Sequence, residues 1–323
     1  MPSRFISATK LLAVSVALVA LISCGGGGGG GGSQPGVPAP TLALTPANAP
    51  NVAGEATLAS LDASQKGTTF GFAAGGQSDT LPRTHVFRRF LAQQIDALVD
   101  RLLPQPTFAR MPAAAMACTI SGTTSTDATA SGATVTFSAC SDIPGESING
   151  SFAIANVAQV PNGFSASVSS DLTFSFAGFP DEHFTGSFNL SQLTVGTVTT
   201  TTISGPAIAI TQGLDNQQLV SFTLVSSVDS STGTSTDSVT LHLESSDIGG
   251  SVNITTLTPF QTAAGKTFPK AGAILVSGMG SALKVTVLGD ESAPAPQVRI
   301  EVDANGDGLF ETVLTKNWSD LSV

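Results

Sequence analysis

Gly163-Phe-Ser-Ala-Ser-Val-Ser-Ser-Asp-Leu-Thr-Phe-Ser-Phe176 is the stretch that decides the fold class. Phe164, Ala166, Val168, Leu172, Phe174 and Phe176 share one parity, while Ser, Thr and Asp occupy most of the rest. Side chains alternate across a strand, so a sustained period of two means a strand with one buried face and one wet face. The same alternation recurs at Val135/Phe137/Ala139, Val220/Phe222/Leu224, Val239/Leu241/Leu243, Leu283/Val285/Val287 and Val298/Ile300/Val302. Turn-forming clusters punctuate it at Pro144-Gly145, Asn162-Gly163, Gly213 to Asn216, Ser230 to Gly233, Gly249-Gly250 and Gly278 to Gly280. From about residue 111 to 323 the chain therefore predicts a mainly β domain, an antiparallel meander of roughly a dozen strands. Its apolar face must be covered, so closure as a barrel, a half-barrel or a sandwich is expected.

Upstream of the sheet the pattern changes. Residues 55–110 form an N-terminal segment with one amphipathic helix expected over 84–103. Thr84 caps it, Pro104 stops it, and Val86, Phe87, Phe90, Leu91, Ile95, Leu98 and Leu102 form its apolar stripe. A stripe of this kind is expected to pack on the sheet.

The first 23 residues are a processing signal. Arg4 and Lys10 precede the apolar run Leu11 to Ile22, which is shorter than the ~20 residues needed to span a bilayer. The run ends in Leu21-Ile22-Ser23-Cys24, which resembles the lipobox of bacterial lipoproteins. That resemblance implies cleavage before Cys24 and acylation of Cys24. Gly25 to Gly32 is unbroken glycine and leads into a Pro/Ala-rich stretch, so 24–54 reads as a lipidated cysteine on a flexible tether. Lipobox, glycine run and a Ser/Thr/Gly-rich β-domain together resemble Gram-negative polyglycine lipoproteins. With Gly25 after Cys24, this implies lipid anchorage in the outer membrane and says more about location than activity.

Composition narrows the partners. The chain has 323 residues, 13 Lys+Arg against 23 Asp+Glu, and a pI of about 4.5, which argues against nucleic acid. Loss of residues 1–23 removes two cations and no acids, leaving 11 against 23, a net charge of -12. Tyrosine is absent and there is a single Trp, so the aromatic girdles of outer-membrane barrels are missing. The membrane is therefore expected as a partner through the lipid anchor.

Three sets of residues carry candidate chemistry. Cys118 and Cys140 are an even pair in an oxidising compartment and are expected to form a disulfide. Asp303-Ala-Asn-Gly-Asp-Gly-Leu-Phe-Glu311 places Asp303, Asn305 and Asp307 at alternate positions, with a carbonyl at Leu309 and an acid at Glu311. Such oxygens suit a hard cation, and the loop resembles the β-hairpin calcium loops of FG-GAP repeats in integrin-type propellers. The alternative is a hydrophilic hairpin turn without metal. Finally, Phe164, Phe174, Phe176, Phe188 and Phe222 would line a cavity if the apolar sheet face carried a lipid or other hydrophobic molecule. No G-x-S-x-G elbow occurs, and the histidines (His85, His183, His242) are scattered, so no catalytic constellation is read. The functional expectation is a structural or interaction role with an envelope partner, and carriage of a hydrophobic ligand is the alternative.

Overall fold

The computed structural model describes residues 40–69, 114–129, 131–142, 144–266, 268–289 and 297–321. The signal segment, Cys24, most of the glycine and proline stretch and the helix expected over 84–103 lie outside them.

Fourteen strands form one sheet in strict sequence order. They are β1 (Ala114–Ala117), β2 (Ser121–Thr129), β3 (Gly132–Ser141), β4 (Glu146–Val160), β5 (Gly163–Phe176), β6 (Glu182–Val195), β7 (Val198–Gln212), β8 (Asp215–Asp229), β9 (Thr234–Ser245), β10 (Gly250–Thr262), β11 (Ala271–Gly278), β12 (Ser281–Leu288), β13 (Gln297–Asp303) and β14 (Thr312–Asn317). Every pairing is antiparallel between neighbours. The expected meander is therefore present. The sheet is a single open one: β1 and β14 are its edges, and no pairing joins them among the described residues. This corrects the expectation of a closed barrel or a two-sheet sandwich. Both edges are short, which limits their capacity to template further strands.

The alternation read from 163–176 is realised in β5, where Phe164, Ala166, Val168, Ser170, Leu172, Phe174 and Phe176 are buried. The longest strands have 15 residues and cannot stay straight in a compact body. Bulges bend them, with register shifts between Phe137 and Cys140, Ala155 and Ala158, Ser187 and Asn189, and Val220 and Thr223. Ala139, Asn156 and Ser221, all non-glycine residues at positive φ, sit within three of these shifts. Opposite the last bulge, Gly205 lets the Phe222 ring close over the β6 backbone, because a Cβ there would come within 2.9 Å of that ring and 2.6 Å of the Ser187 carbonyl oxygen.

The one described α-helix is one that the sequence pattern did not predict. α1 spans Ala49–Thr69, beginning inside the stretch read as tether. Its start is a reciprocal cap. The Asn48 N–H donates to Thr45 Oγ1 at 3.4 Å, and the Thr45 N–H donates to Asn48 Oδ1 at 2.8 Å. Pro46 and Pro50 fall in or before the first turn, where a missing N–H costs nothing. Ahead of the cap, Pro40 to Leu44 already belongs to the body. Ser251 N–H donates to the Pro40 carbonyl at 3.0 Å, Leu42 N–H to Ser251 at 2.9 Å, and Leu44 N–H to Ser281 Oγ at 2.8 Å.

The helix is enclosed on all sides over its first turns, with Val52 to Thr57 buried. It packs on β7, β8 and β9 and also on β11, β12 and β13. Ala49, Val52, Ala53, Ala56 and Ala59 join the inward side chains of β3 to β13 in one hydrophobic core. Small side chains let the helix sit close to the sheet, so no large apolar stripe is needed.

One charge is trapped in this packing. Glu55 is 6% exposed, and burial, followed by the nearby Asp247, pushes its carboxyl above the ordinary carboxylate range; a hydrogen bond from Gln217 Nε2 at 3.3 Å partly offsets this. A raised folded-state value means the ionised group opposes folding once pH exceeds the unfolded value of 4.5. Glu55→Gln is expected to raise the urea midpoint at pH 7, with the difference shrinking to nothing as pH falls below 4.5. Equal midpoints at all pH values would contradict this.

Candidate functional site

In a meander, alternate turns collect at opposite ends of the sheet. At one end lie the turns β1–β2, β3–β4, β5–β6, β7–β8, β9–β10, β11–β12 and β13–β14, and the N-terminal strap 40–44 crosses the same end. These turns touch one another in series. Ile120 N–H donates to Ser141, Ala177 N–H to Gly145, and Ser246 N–H to Asn216. Gln212 Nε2 donates to the Pro180 carbonyl at 3.4 Å. The strap bridges the next gap, receiving Ser251 N–H on Pro40 and Met279 N–H on Leu42. At Gly306 a Cβ would lie 2.7 Å from the Gly280 carbonyl oxygen, so the last two turns abut. The result is a continuous rim.

The disulfide pair closes the start of this rim. Cys118 and Cys140 are at bonding distance, with Cα atoms 5.5 Å apart and 22 positions apart in sequence, joining the β1–β2 turn to the end of β3. A loop of this size implies roughly 3 kcal/mol of stabilisation on the chain-entropy model. Beside it, Thr119 N–H donates to Asp142 Oδ1 at 2.6 Å; the backbone and side-chain bonds from Thr119 hold the Asp142 carboxyl below its ordinary value.

The Asp303–Glu311 loop closes the other end of the rim. One carboxylate oxygen each from Asp303, Asp307 and Glu311 converge within 4.8 Å. The loop also holds itself. Asp303, 2% exposed, accepts Gly306 N–H at 2.7 Å and Gly308 N–H at 2.9 Å. Asn305 Nδ2 donates to Asp307 at 3.2 Å and to Glu311 at 3.1 Å, while its Oδ1 accepts Asp307 N–H at 2.9 Å. Leu309 N–H donates to Asp307 Oδ1 at 2.8 Å, and the Leu309 side chain points outward, 67% exposed. Gly306 and Gly308 take positive φ values that allow both turns of the chain around Asp303.

Phe164, Phe174, Phe176, Phe188 and Phe222 are brought together as expected in one respect: all five are buried in the same hydrophobic core. His183 and His242 are not brought together. His183 Nε2 lies 2.9 Å from Asp171 on the wet face, and His242 Nδ1 lies 3.0 Å from Asn253. His85 falls outside the described residues.

Sequence reading missed the rim's most regular feature. Its turns carry exposed apolar side chains at their tips: Ile120 at 51%, Phe179 at 48%, Leu214 at 98%, Met279 at 65% and Leu309 at 67%. The signal was present in Gln212-Gly-Leu214-Asp and Gly278-Met279-Gly, where an apolar residue stands alone among turn formers.

No family model, curated protein or solved structure matches the chain. No α-helix among the described residues is long and apolar enough to cross a membrane.

Replacing Asp303 by Ala leaves two loop amides without their acceptor and is expected to cost about 2–3 kcal/mol in urea unfolding without calcium. Asp307→Ala, at an exposed position, is expected to cost less than about 1 kcal/mol. Equal costs would refute the self-held loop.

Proposed function

We propose that this chain is a lipid-anchored β-protein of the cell envelope, tied to the outer membrane by acylated Cys24 and acting through surface contacts without catalysis. Location rests on Leu21-Ile22-Ser23-Cys24 followed by the glycine run. The contact role rests on one observation above all. The five phenylalanines that a carrier would turn towards its ligand are packed into the core that α1 completes. We read the bulged open sheet as a half-barrel whose hollow is filled by its own helix, which favours interaction over carriage of a hydrophobic molecule.

Mass spectrometry of the mature protein tests both parts. The expected product starts at Cys24 and carries acyl chains, and Cys24→Ala releases the protein from the membrane fraction. A mature chain without acyl mass would overturn the anchor. In native spectra the expected protein carries no further lipid; a copurified lipid lost on denaturation would restore the carrier reading.

Calcium is the one cofactor we propose, on Asp303, Asn305, Asp307 and Glu311 with the Leu309 carbonyl, as a staple of the last hairpin. Convergence of three carboxylates supports it. Calcium chloride is expected to raise the thermal midpoint of the protein and to leave Asp307→Ala unchanged. No rise in the parent protein would leave the hairpin a plain turn.

A further inference from the structure

Between Glu146 and Asp229 the chain carries only four Asp, Glu, Lys or Arg residues: Asp171, Asp181, Glu182 and Asp215. All four lie in the half of the strands nearer the rim. Towards the far end, the outward face of β5 to β8 over 163–169, 189–195, 198–204 and 223–228 holds no charge. On β9 Asp237 is turned inward and buried, so Thr236 and Ser238 continue this face. The same side of the sheet is charged elsewhere: on β12 and β13, Lys284 and Arg299 pair with Glu301 at 3.4 and 3.1 Å. Depletion of charge marks the core of a protein interface.

Apolar residues collect on this uncharged face. Val195 pairs with Val198 across the β6–β7 turn, and Leu193 stands two residues back on the same side of β6. Val160 faces Leu193 across Gly163, which has no side chain between them. All four are exposed, and Val225 stands on the same side of β8. The rim tips differ, because Phe179, Leu214 and Leu309 each sit one or two residues from an exposed acid, Asp181, Asp215 or Asp307.

Hydroxyls among the apolar residues bond across the strands. Ser167 Oγ donates to Asn189 Oδ1 at 3.0 Å, and Thr200 Oγ1 lies 2.9 Å from Ser227 Oγ. Polar groups already paired within the sheet cost little to cover. The register shifts at Ala155/Ala158, Ser187/Asn189 and Val220/Thr223 all fall at the inner border of the face, so its ladder is unbroken. Five strands, β5 to β9, over about seven residues each, give roughly 550 Å², at about 4.8 Å between strands and 3.3 Å per residue. Two such faces together would cover roughly 1,100 Å², the low end for a specific interface.

We propose that this face pairs with the same face of a second copy, sheet on sheet about a two-fold axis. The pairing gives the contact role proposed above its partner and needs no acylation of Cys24. Charge decides for a copy. With a formal net charge of -10, two copies repel each other wherever carboxylates would meet. The uncharged face brings them together without opposing like charges, and a partner selected by charge finds nothing on it to read. The carboxylate at its border, Asp229 opposite Val198, is turned back into its own turn, where it accepts Ser231 N–H at 2.9 Å and Ser231 Oγ–H at 2.7 Å.

Sedimentation equilibrium of the full-length protein in detergent tests this, with micelles in large excess so that copies share one only by association. The parent is expected to sediment as two chains and to dissociate on dilution to about the micromolar range. Leu193→Asp and Val195→Asp, both at exposed positions, are expected to keep the parent's circular dichroism. Each is expected to raise the dissociation constant at least about tenfold, because pairing would bury an unpartnered carboxylate. Leu214→Asp, exposed at the rim, is expected to leave it unchanged. Added salt is expected to tighten the parent dimer by screening the two acidic bodies from each other. A parent that sediments as one chain, or a dimer that Leu193→Asp and Val195→Asp leave intact, overturns the pairing. A dimer that salt or Leu214→Asp dissociates overturns it too. The contact role fails separately, on a copurified lipid in the native spectra.

Discussion

A sheet of fourteen strands has one apolar face too wide to leave wet, and the rest of the architecture answers that constraint. Hydrogen bonding cannot solve it here, because the edges do not meet among the described residues. Bulges curl the long strands, and α1 occupies the space they create. The helix touches strands on both sides of β10, so it ties β7–β9 to β11–β13 across the core. Its alanines matter because a larger helix would hold the two sets of strands apart. Glu55 shows the cost of the arrangement: once the helix is enclosed, even its polar residues lose solvent.

The same geometry separates the body's two ends. All strands reverse at one of two levels, so whatever the turns carry is displayed collectively. At the end where the strap enters, the turns are stitched to one another by backbone bonds and bounded by the Cys118–Cys140 pair and the Asp303 loop. These features stiffen a row of tips more than they build a pocket.

The strands were legible because Phe, Val, Ile and Leu alternate with Ser and Thr, as in 163–176, and because Gly and Asn mark the turns. The sulfur pair was legible because Cys118 and Cys140 are the two cysteines left once Cys24 is set apart. The exact number of strands and the way the open sheet bends were not, since bulges such as that at Ser221 shift the parity without a sequence signature. The position of α1 was hidden for a physical reason. Ala49, Val52, Ala53, Ala56 and Ala59 follow helical spacing, but alanine carries little hydrophobic weight, and Pro50 and Gly54 read as breakers. Only the Thr45-Pro-Ala-Asn48 cap announced a start. The rim escaped notice because single apolar residues in turns look like noise until the topology places them together.

The central claim is that α1 and the sheet form one cooperative core. Ala53→Asp tests it most directly, because Ala53 is 0% exposed and a carboxylate there has no room and no water. Trp318, which stacks on Phe268 at a ring distance of 5.7 Å just after the last strand, reports on the same core from its C-terminal end. In urea, the loss of β-sheet circular dichroism and the change in Trp318 fluorescence should coincide, and both should shift together to much lower urea in Ala53→Asp. A variant that keeps the parent midpoint by both signals, with the sheet intact while the helix is displaced, would contradict the account.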